Sequence, residues 1–195
     1  SIILAGIGFS LMTAKARKRQ DKTPLAARQI IILNRAGFLF FTGLLFSFIW
    51  QADILHYYGL YMSAGAFLLL SRTRTLAALL PLLTAGFLFC FFLFDWQAQW
   101  DLTRLEYREF WTIKGFIKNA LFNGFHPVLP WLGFFLFGMA AGRSRLYDPA
   151  CQTRWLLWSL LIFGVTEFLS FILMPALAEH EFLASTLSFP PFPLF

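Results

Sequence analysis

An aspartate and a histidine stand three positions apart in the stretch Asp53-Ile-Leu-His56. Residues with this spacing lie on one face of a helix, so the Asp53 carboxylate can orient the His56 imidazole for accepting a proton. A second polar pair, Asn123 and His126, stands just before another apolar run. Taken singly, these residues are explained by a helix cap and by interfacial histidines. Taken together, they predict a polar cluster suited to proton transfer.

A further candidate for this cluster is Glu167. It lies about 12 residues, or roughly 18 Å, into an apolar run that begins at Trp155. A carboxyl group at membrane depth needs either a proton or a hydrogen-bonding partner, so we expect Glu167 to meet the two histidines in the outer half of the bundle. The alternative is a protonated, hydrogen-bonded acid in the core. No metal is expected, because no three or four ligand side chains have a recognisable spacing.

These residues are embedded in a chain that is too apolar for a soluble domain. Of its 195 residues, 58% are hydrophobic and 13% are charged, and the mean hydropathy is +0.65, so little polar surface exists to face water. The net charge of +6 does not indicate a nucleic-acid partner, because the basic residues alternate with apolar runs instead of forming one face. Cys90 and Cys151 stand in an apolar run and a basic loop, which argues against a disulfide framework.

The apolar runs predict an all-α, polytopic integral membrane helix bundle. Five runs approach the ~20 residues that cross a bilayer, and they lie near residues 30–50, 54–71, 76–94, 127–142 and 155–175. A shorter run that begins at Ser1 predicts a partial first span. We therefore expect five full spans plus this partial one, as part of a single transmembrane domain over residues 1–195 that is truncated at both ends.

The loops between the apolar runs differ in charge. Eleven of the 16 Lys and Arg residues lie in alternate loops, namely Lys15–Arg28, Arg72–Arg74 and Arg143–Arg154. The positive-inside bias predicts that these three loops face the cytoplasm, which places the polar cluster on the outer side. The long outer loop contains apolar residues with helical spacing from Ile113 to Leu121. This pattern predicts a short helix on the outer interface. Such a helix is either a lid that packs on the bundle and only plugs it, which we favour, or a lid over an outward-facing site.

Gly138 and Gly142 form a GxxxG pattern, which is typical of membrane helices that pack closely within one bundle or between two chains. The pattern belongs to a longer stretch, Asn123-Gly-Phe-His126-Pro-Val-Leu-Pro-Trp131, which continues to Arg143. This stretch resembles the corresponding helix of the transmembrane acyltransferases that include heparan-alpha-glucosaminide N-acetyltransferase and the YeiB-like bacterial proteins. Other stretches similar to family motifs are Gly6–Ser10, Asp53–Gly59 and Pro190–Phe195.

The resemblance implies an enzyme of the bacterial inner membrane. Such an enzyme moves an acetyl or other acyl group from a cytoplasmic acyl-CoA to an envelope glycan or similar acceptor, and it uses no metal. The candidate catalytic residues are then Asp53, His56, His126 and Glu167. The candidates for binding the acceptor or the donor are Arg35, Asn123, Trp131 and Arg143. For Arg35, the alternative is a side chain that reaches back to lipid phosphates.

The resemblance also implies that the histidine associated with acyl transfer in this family lies on a segment before Ser1. We therefore expect the present stretch to be inactive by itself. Two other functions remain open from the sequence, a non-enzymatic transporter or channel-like bundle and a structural membrane subunit. A second copy of the chain is a further possible partner, through Gly138 and Gly142.

Overall fold

A computed structural model of the chain describes residues 2–19, 22–96, 99–101, 104, 106–144 and 148–178. The chain divides into two units, residues 1–143 and 144–195, and each is described by itself. The helices in the described part are α1 (Ile2–Arg19), α2 (Lys22–Phe46), α3 (Leu55–Phe67), α4 (Thr73–Leu93), α5 (Ile113–Lys118), α6 (Val128–Ala141) and α7 (Pro149–Ala178). A π-helical turn, Asn119–Asn123, continues α5. Two short antiparallel strands, β1 (Trp100–Asp101) and β2 (Glu106–Tyr107), pair Trp100 with Tyr107.

Three helical segments in the described part are long and apolar enough to cross a membrane. They are Ala26–Phe46, Thr73–Leu93 and Pro149–Leu173. A fourth span results if the segment Ile113–Asn123 and α6 are counted as one. These two helical segments are bent by 51° at the break between them. The all-α class is confirmed, and these helices are compatible with a membrane protein.

The predicted count of five full spans is not confirmed. The run 54–71 forms α3, which has only 13 residues and is therefore ~20 Å long at 1.5 Å per residue. A helix of this length is shorter than the ~30 Å hydrocarbon core of a bilayer. The apolar run continues through Leu68–Leu70, but these residues form a turn and not a further turn of α3. The sequence pattern therefore overestimated the length of this helix.

The core of the first unit lies where three helix pairs pack, α2 with α3, α4 with α6 and α1 with α6. Its centre is formed by Tyr57 and Tyr61 of α3 and by Phe135, Leu136 and Met139 of α6, all almost completely buried. Many other large apolar side chains of the first unit are exposed, which is the distribution expected where lipid surrounds a helix. The short helix α3 is held in the bundle by its buried residues Tyr57 and Tyr61, which pack in this core.

The GxxxG glycines of α6 pack against α1 of the same chain. A Cβ atom at Gly138 would overlap the carbonyl oxygen of Ile3, and one at Gly142 would lie 2.8 Å from the Cβ atom of Ser10. Gly6 of α1 belongs to the same contact, because a Cβ atom there would lie only 3.0 Å from the Gly138 Cα atom. Of the two partners that the sequence left open for this pattern, the structure contains the one within the chain.

The start of α2, the segment between α3 and α4 and the end of α6 contact one another at one end of the first unit, here called the basic end. The Nε2 atom of Gln29, near the start of α2, donates to the Ala66 carbonyl near the end of α3 (3.0 Å). The guanidinium of Arg143 donates to the carbonyls of Leu69 (3.0 Å) and Ser71, which precede α4. The polar cluster lies at the opposite end, where α3 begins. This grouping agrees with the alternation of charge in the sequence, and its assignment to the cytoplasm stays a prediction.

Candidate functional site

The site is built around the first turn of α3, where α2 approaches closely. A Cβ atom at Gly43 of α2 would lie 2.9 Å from both the Oδ2 atom of Asp53 and the Cα atom of His56. The glycine therefore allows the backbone of α2 to contact this turn. Asp53 Oδ2 accepts a hydrogen bond from the Leu55 backbone N–H (2.8 Å), which stabilises an otherwise unpaired donor at the helix start.

His56 is completely buried beside Asp53. Its Nδ1 atom lies 3.6 Å from Asp53 Oδ2, which is close enough for an ion pair but longer than a hydrogen bond. Within the described residues, neither ring nitrogen of His56 has a hydrogen-bond partner. A buried polar atom without a partner costs about 1–3 kcal/mol. The two ring nitrogens of His56, unpaired in the part of the chain that the structure describes, therefore destabilise the fold, unless another polar group enters and forms hydrogen bonds with them.

Aromatic rings surround this imidazole. The ring of Tyr57 lies 4.0 Å from the His56 ring, and the rings of Phe110 and Phe116 lie 6.0 and 6.3 Å from it, measured between centroids. Such apolar walls lower the local dielectric, and electrostatic interactions are stronger there than in water. The contact of His56 with Asp53 is therefore shielded from solvent.

His126 lies on the other side of the same network, in the link between the π-helical turn and α6. Its ring centroid is 6.3 Å from that of Tyr57 and 5.4 Å from that of Trp131. Its carbonyl oxygen accepts from the Tyr61 hydroxyl (2.6 Å), which fixes the backbone. Its Nδ1 atom is buried and has no partner among the described residues. The structure thus brings His56, His126 and Trp131 into one neighbourhood, linked through Tyr57.

Asn123 has a different environment from the one we expected of a substrate contact. Its side-chain oxygen accepts from the Tyr107 hydroxyl (3.0 Å), and its Nδ2 atom donates to the Gln99 side chain (3.2 Å). Its backbone carbonyl accepts from the Trp100 indole (2.6 Å). Burial raises the pKa of Tyr107, so its hydroxyl stays a neutral donor. Asn123 therefore ties the outer loop to the start of α6, and a direct role in binding stays a prediction.

Asn119 is a site residue that the sequence reasoning missed. It is completely buried, and its Oδ1 atom accepts from the Tyr57 hydroxyl (2.7 Å). Its Nδ2 atom has no partner in the described part of the chain. The signal was present, because Asn119 is a polar residue next to the apolar stripe of the outer loop, but its partner is 62 positions away in the sequence.

The outer loop covers the cluster. Trp96, Trp100, Tyr107 and Phe110 are buried in it, and the Phe116 ring of α5 lies against His56. The opposite face of α5 is exposed, with Ile113 83% accessible. The short helix predicted for this loop is therefore present, with one face on the bundle and the other exposed. The choice between a plug and a lid over a site stays a prediction.

The arginines predicted to bind a donor lie toward the basic end and differ in their contacts. Arg35 lines a cavity of about 410 Å³ between α1 and α2 together with Arg28. Its Nη1 atom lies 3.6 Å from the Met12 sulfur, a weak acceptor. Arg143 instead holds the turn between α3 and α4 through the two carbonyl contacts described above. Arg28, which the sequence patterns did not single out, lines the same cavity as Arg35. It is therefore better placed than Arg143 to contact a ligand together with Arg35.

Glu167 lies on α7, in the second unit. Its convergence with the two histidines stays a prediction, since the two units are described separately. Among the described residues, no group of three or more His, Cys, Asp and Glu side chains could hold a metal ion.

The fold and site together define an all-α protein with apolar, membrane-type helices and a buried His–Asp cluster at one end of its first unit. Comparison with protein-family models, with curated proteins and with solved structures finds no match. The resemblance to the transmembrane acyltransferases thus rests on the sequence motifs alone.

Proposed function

We propose that the chain is part of a membrane-embedded acyltransferase that moves an acyl group from a cytoplasmic acyl-CoA to a glycan or similar acceptor. The single observation that best supports this function is the buried His56 imidazole. It lies beside Asp53, and its Nε2 atom has no hydrogen-bond partner among the described residues. A purely structural histidine in such a position would satisfy its nitrogens. A general base must keep one nitrogen available for the proton it accepts.

The proposed reaction uses this nitrogen directly. The acceptor hydroxyl or amine attacks the thioester carbonyl, and His56 Nε2 takes the proton that the acceptor loses. The bond between carbon and sulfur then breaks, and the leaving thiolate receives that proton. Asp53 stabilises the imidazolium that forms between these two steps, as an orienting carboxylate does in other nucleophile–histidine systems. The 3.6 Å separation of His56 from Asp53 is compatible with this role, since catalytic hydrogen bonds often shorten only when substrate is bound.

The donor would enter from the basic end. Arg28 and Arg35 are seven residues apart on α2, so they lie on nearly the same helix face about 10 Å apart along the axis. Their planar guanidinium groups are suited to phosphate oxygens. Because α3 is only ~20 Å long, the acyl arm of such a donor has to cross less than a full bilayer to reach the cluster.

The base is tested by replacing His56 with Gln in the full-length protein. Gln keeps polarity and much of the volume but cannot take a proton, so release of the CoA thiol from acetyl-CoA should fall by about 10²-fold or more. Ser63→Ala, on the same helix, is the matched control and should keep its activity. Unchanged thiol release in a correctly folded His56→Gln variant would overturn the proposal.

The donor site has its own test. Arg28→Gln and Arg35→Gln should each weaken acetyl-CoA binding by about tenfold, the effect of losing a charge-assisted contact. Arg74→Gln, in the first turn of α4, should bind normally. The contacts of Arg143 with Leu69 and Ser71 lead us to expect that Arg143→Gln lowers thermal stability more than donor affinity. Equal donor affinity in the Arg28 and Arg35 variants would leave contact with lipid phosphates as the better account of these side chains.

A further inference from the structure

A groove of about 750 Å³ runs along the exposed face of α5. It lies between α5, the end of α4 and the first turn of α6. Its apolar wall is formed by Cys90, Phe94, Ile113, Ile117, Leu121 and Leu129. The groove is separated from the His56 cluster by α5 itself, because Phe116 on the reverse face of this helix lies against His56.

Two lysines line the same groove, Lys114 and Lys118. A lysine beside an apolar wall lays its methylene stem along that wall and keeps its ammonium group at the edge. The spacing of four residues places the two side chains next to each other on the helix. Lys118 is held in this position by donating to the Gln99 side chain (2.6 Å), and an ammonium group has two further N–H donors.

The position of the groove in the bundle adds a second argument. It lies at the end opposite the basic end, so the positive-inside bias does not account for its two cations. Trp111, which precedes α5 and is half exposed, stacks on Phe48 with 4.1 Å between ring centroids. Exposed tryptophans of this kind are typical of the membrane–water interface. An apolar groove with two cations at the level of the membrane–water interface matches the hydrocarbon chain and the charged headgroup of one anionic lipid molecule.

We propose that this groove binds an anionic phospholipid of the outer leaflet, with one hydrocarbon chain along Ile113, Ile117 and Leu121 and the phosphate against Lys114 and Lys118. The apolar wall alone would accept any lipid chain. The lysine pair selects for a net negative headgroup, since each cation near a membrane surface attracts anionic lipid. This site goes beyond the proposed acyl transfer and does not depend on it.

The experiment measures lipid retention by the purified full chain in detergent, using native mass spectrometry. Phosphatidylglycerol should be retained at least about tenfold more strongly than phosphatidylcholine, because only the former carries a net negative charge. The double variant Lys114→Gln/Lys118→Gln should remove this preference, because two phosphate contacts are lost. Arg108→Gln, an exposed cation of the same outer loop, is the matched control and should keep it.

A second variant tests the apolar part of the groove. Ile117 is 51% accessible, so Ile117→Trp fills the groove without disturbing the core and should abolish retention of both lipids. Glycerol phosphate, which lacks a chain, should not compete with phosphatidylglycerol. Equal retention of the two lipids by the unmodified chain would show that the groove does not select a negative headgroup and would overturn the proposal. A loss of preference in Arg108→Gln as large as in the double lysine variant would show only general charge attraction and would overturn it too. Retention of phosphatidylglycerol by a folded Ile117→Trp variant would overturn the placement of the chain.

Discussion

The Nδ1 atom of His56 lies 3.6 Å from the Oδ2 atom of Asp53, and both residues are almost completely buried at the start of α3. The Asp53 carboxylate also accepts a hydrogen bond from the N–H of Leu55, the first residue of α3. One carboxylate is therefore placed to serve both the fold and the orientation of the imidazole. Changes at the two residues should accordingly have different consequences.

Asp53→Asn should separate these roles. Asn retains a side-chain oxygen that can accept from the Leu55 N–H, so thermal stability should change little. It cannot stabilise a positively charged imidazole, so thiol release from acetyl-CoA by the full-length protein should fall by at least about tenfold. Parallel thermal melts and thiol assays measure both effects. Loss of stability equal to that of Asp53→Ala, with unchanged activity per folded molecule, would assign Asp53 to the fold alone.

The α1–α6 contact should depend on the absence of side chains at its glycines. Gly138→Val places branched methyl groups against the Ile3 carbonyl, and we expect it to destabilise the bundle by about 1–3 kcal/mol, as overpacking does. Gly86→Ala provides the control, because a Cβ atom there meets nothing within 4 Å and alanine favours the helix by about 0.5–1 kcal/mol. Thermal unfolding in detergent compares the two. A Gly138→Val variant as stable as the parent would contradict this packing.

Asn123→Ala should loosen the outer loop. It removes the acceptor of the Tyr107 hydroxyl and the donor to Gln99, and leaving a buried partner unpaired costs about 1–3 kcal/mol. Limited proteolysis should then cut the outer loop faster than in the parent chain. Asn34→Ala, at an exposed position of α2, should leave the cleavage rate unchanged. Normal protease resistance combined with lost acceptor binding would instead favour the direct binding role predicted from the sequence.

The orientation of the bundle can be tested by cysteine labelling. In a chain whose Cys90 and Cys151 are replaced by Ser, a single Cys at position 19 or 145 should react slowly with an impermeant reagent in intact cells, because both positions lie in basic loops. A Cys at position 108, which is exposed in the outer loop, should react quickly and serves as the outer control. Rapid labelling at position 19 or 145 would reverse the predicted orientation.

Local patterns in the sequence determined much of the fold. The apolar length of the runs predicted α2, α4 and α7, because a helix satisfies its own backbone within one segment. The spacing of Asp53 and His56 predicted their proximity, although Asp53 precedes α3 and the two side chains meet across the helix start instead of sharing a helix face. The alternation of charged loops predicted a common side for them, and the contacts of Gln29 with Ala66 and of Arg143 with Leu69 agree with it in the first unit.

Tertiary structure decided the remaining features, because they depend on contacts between residues far apart in the chain. Tyr57 meets Asn119 across 62 positions, and Arg143 meets the Leu69 carbonyl across 74. No local pattern specifies such partners. The run 54–71 has enough apolar residues to suggest a full span, yet α3 ends at Phe67, and Arg143 holds the turn that follows. The sequence by itself therefore determined the helical class and the polar residues at the start of α3. Only packing determined which nitrogens of the cluster have no partner among the described residues, and that is the feature on which the proposed chemistry depends.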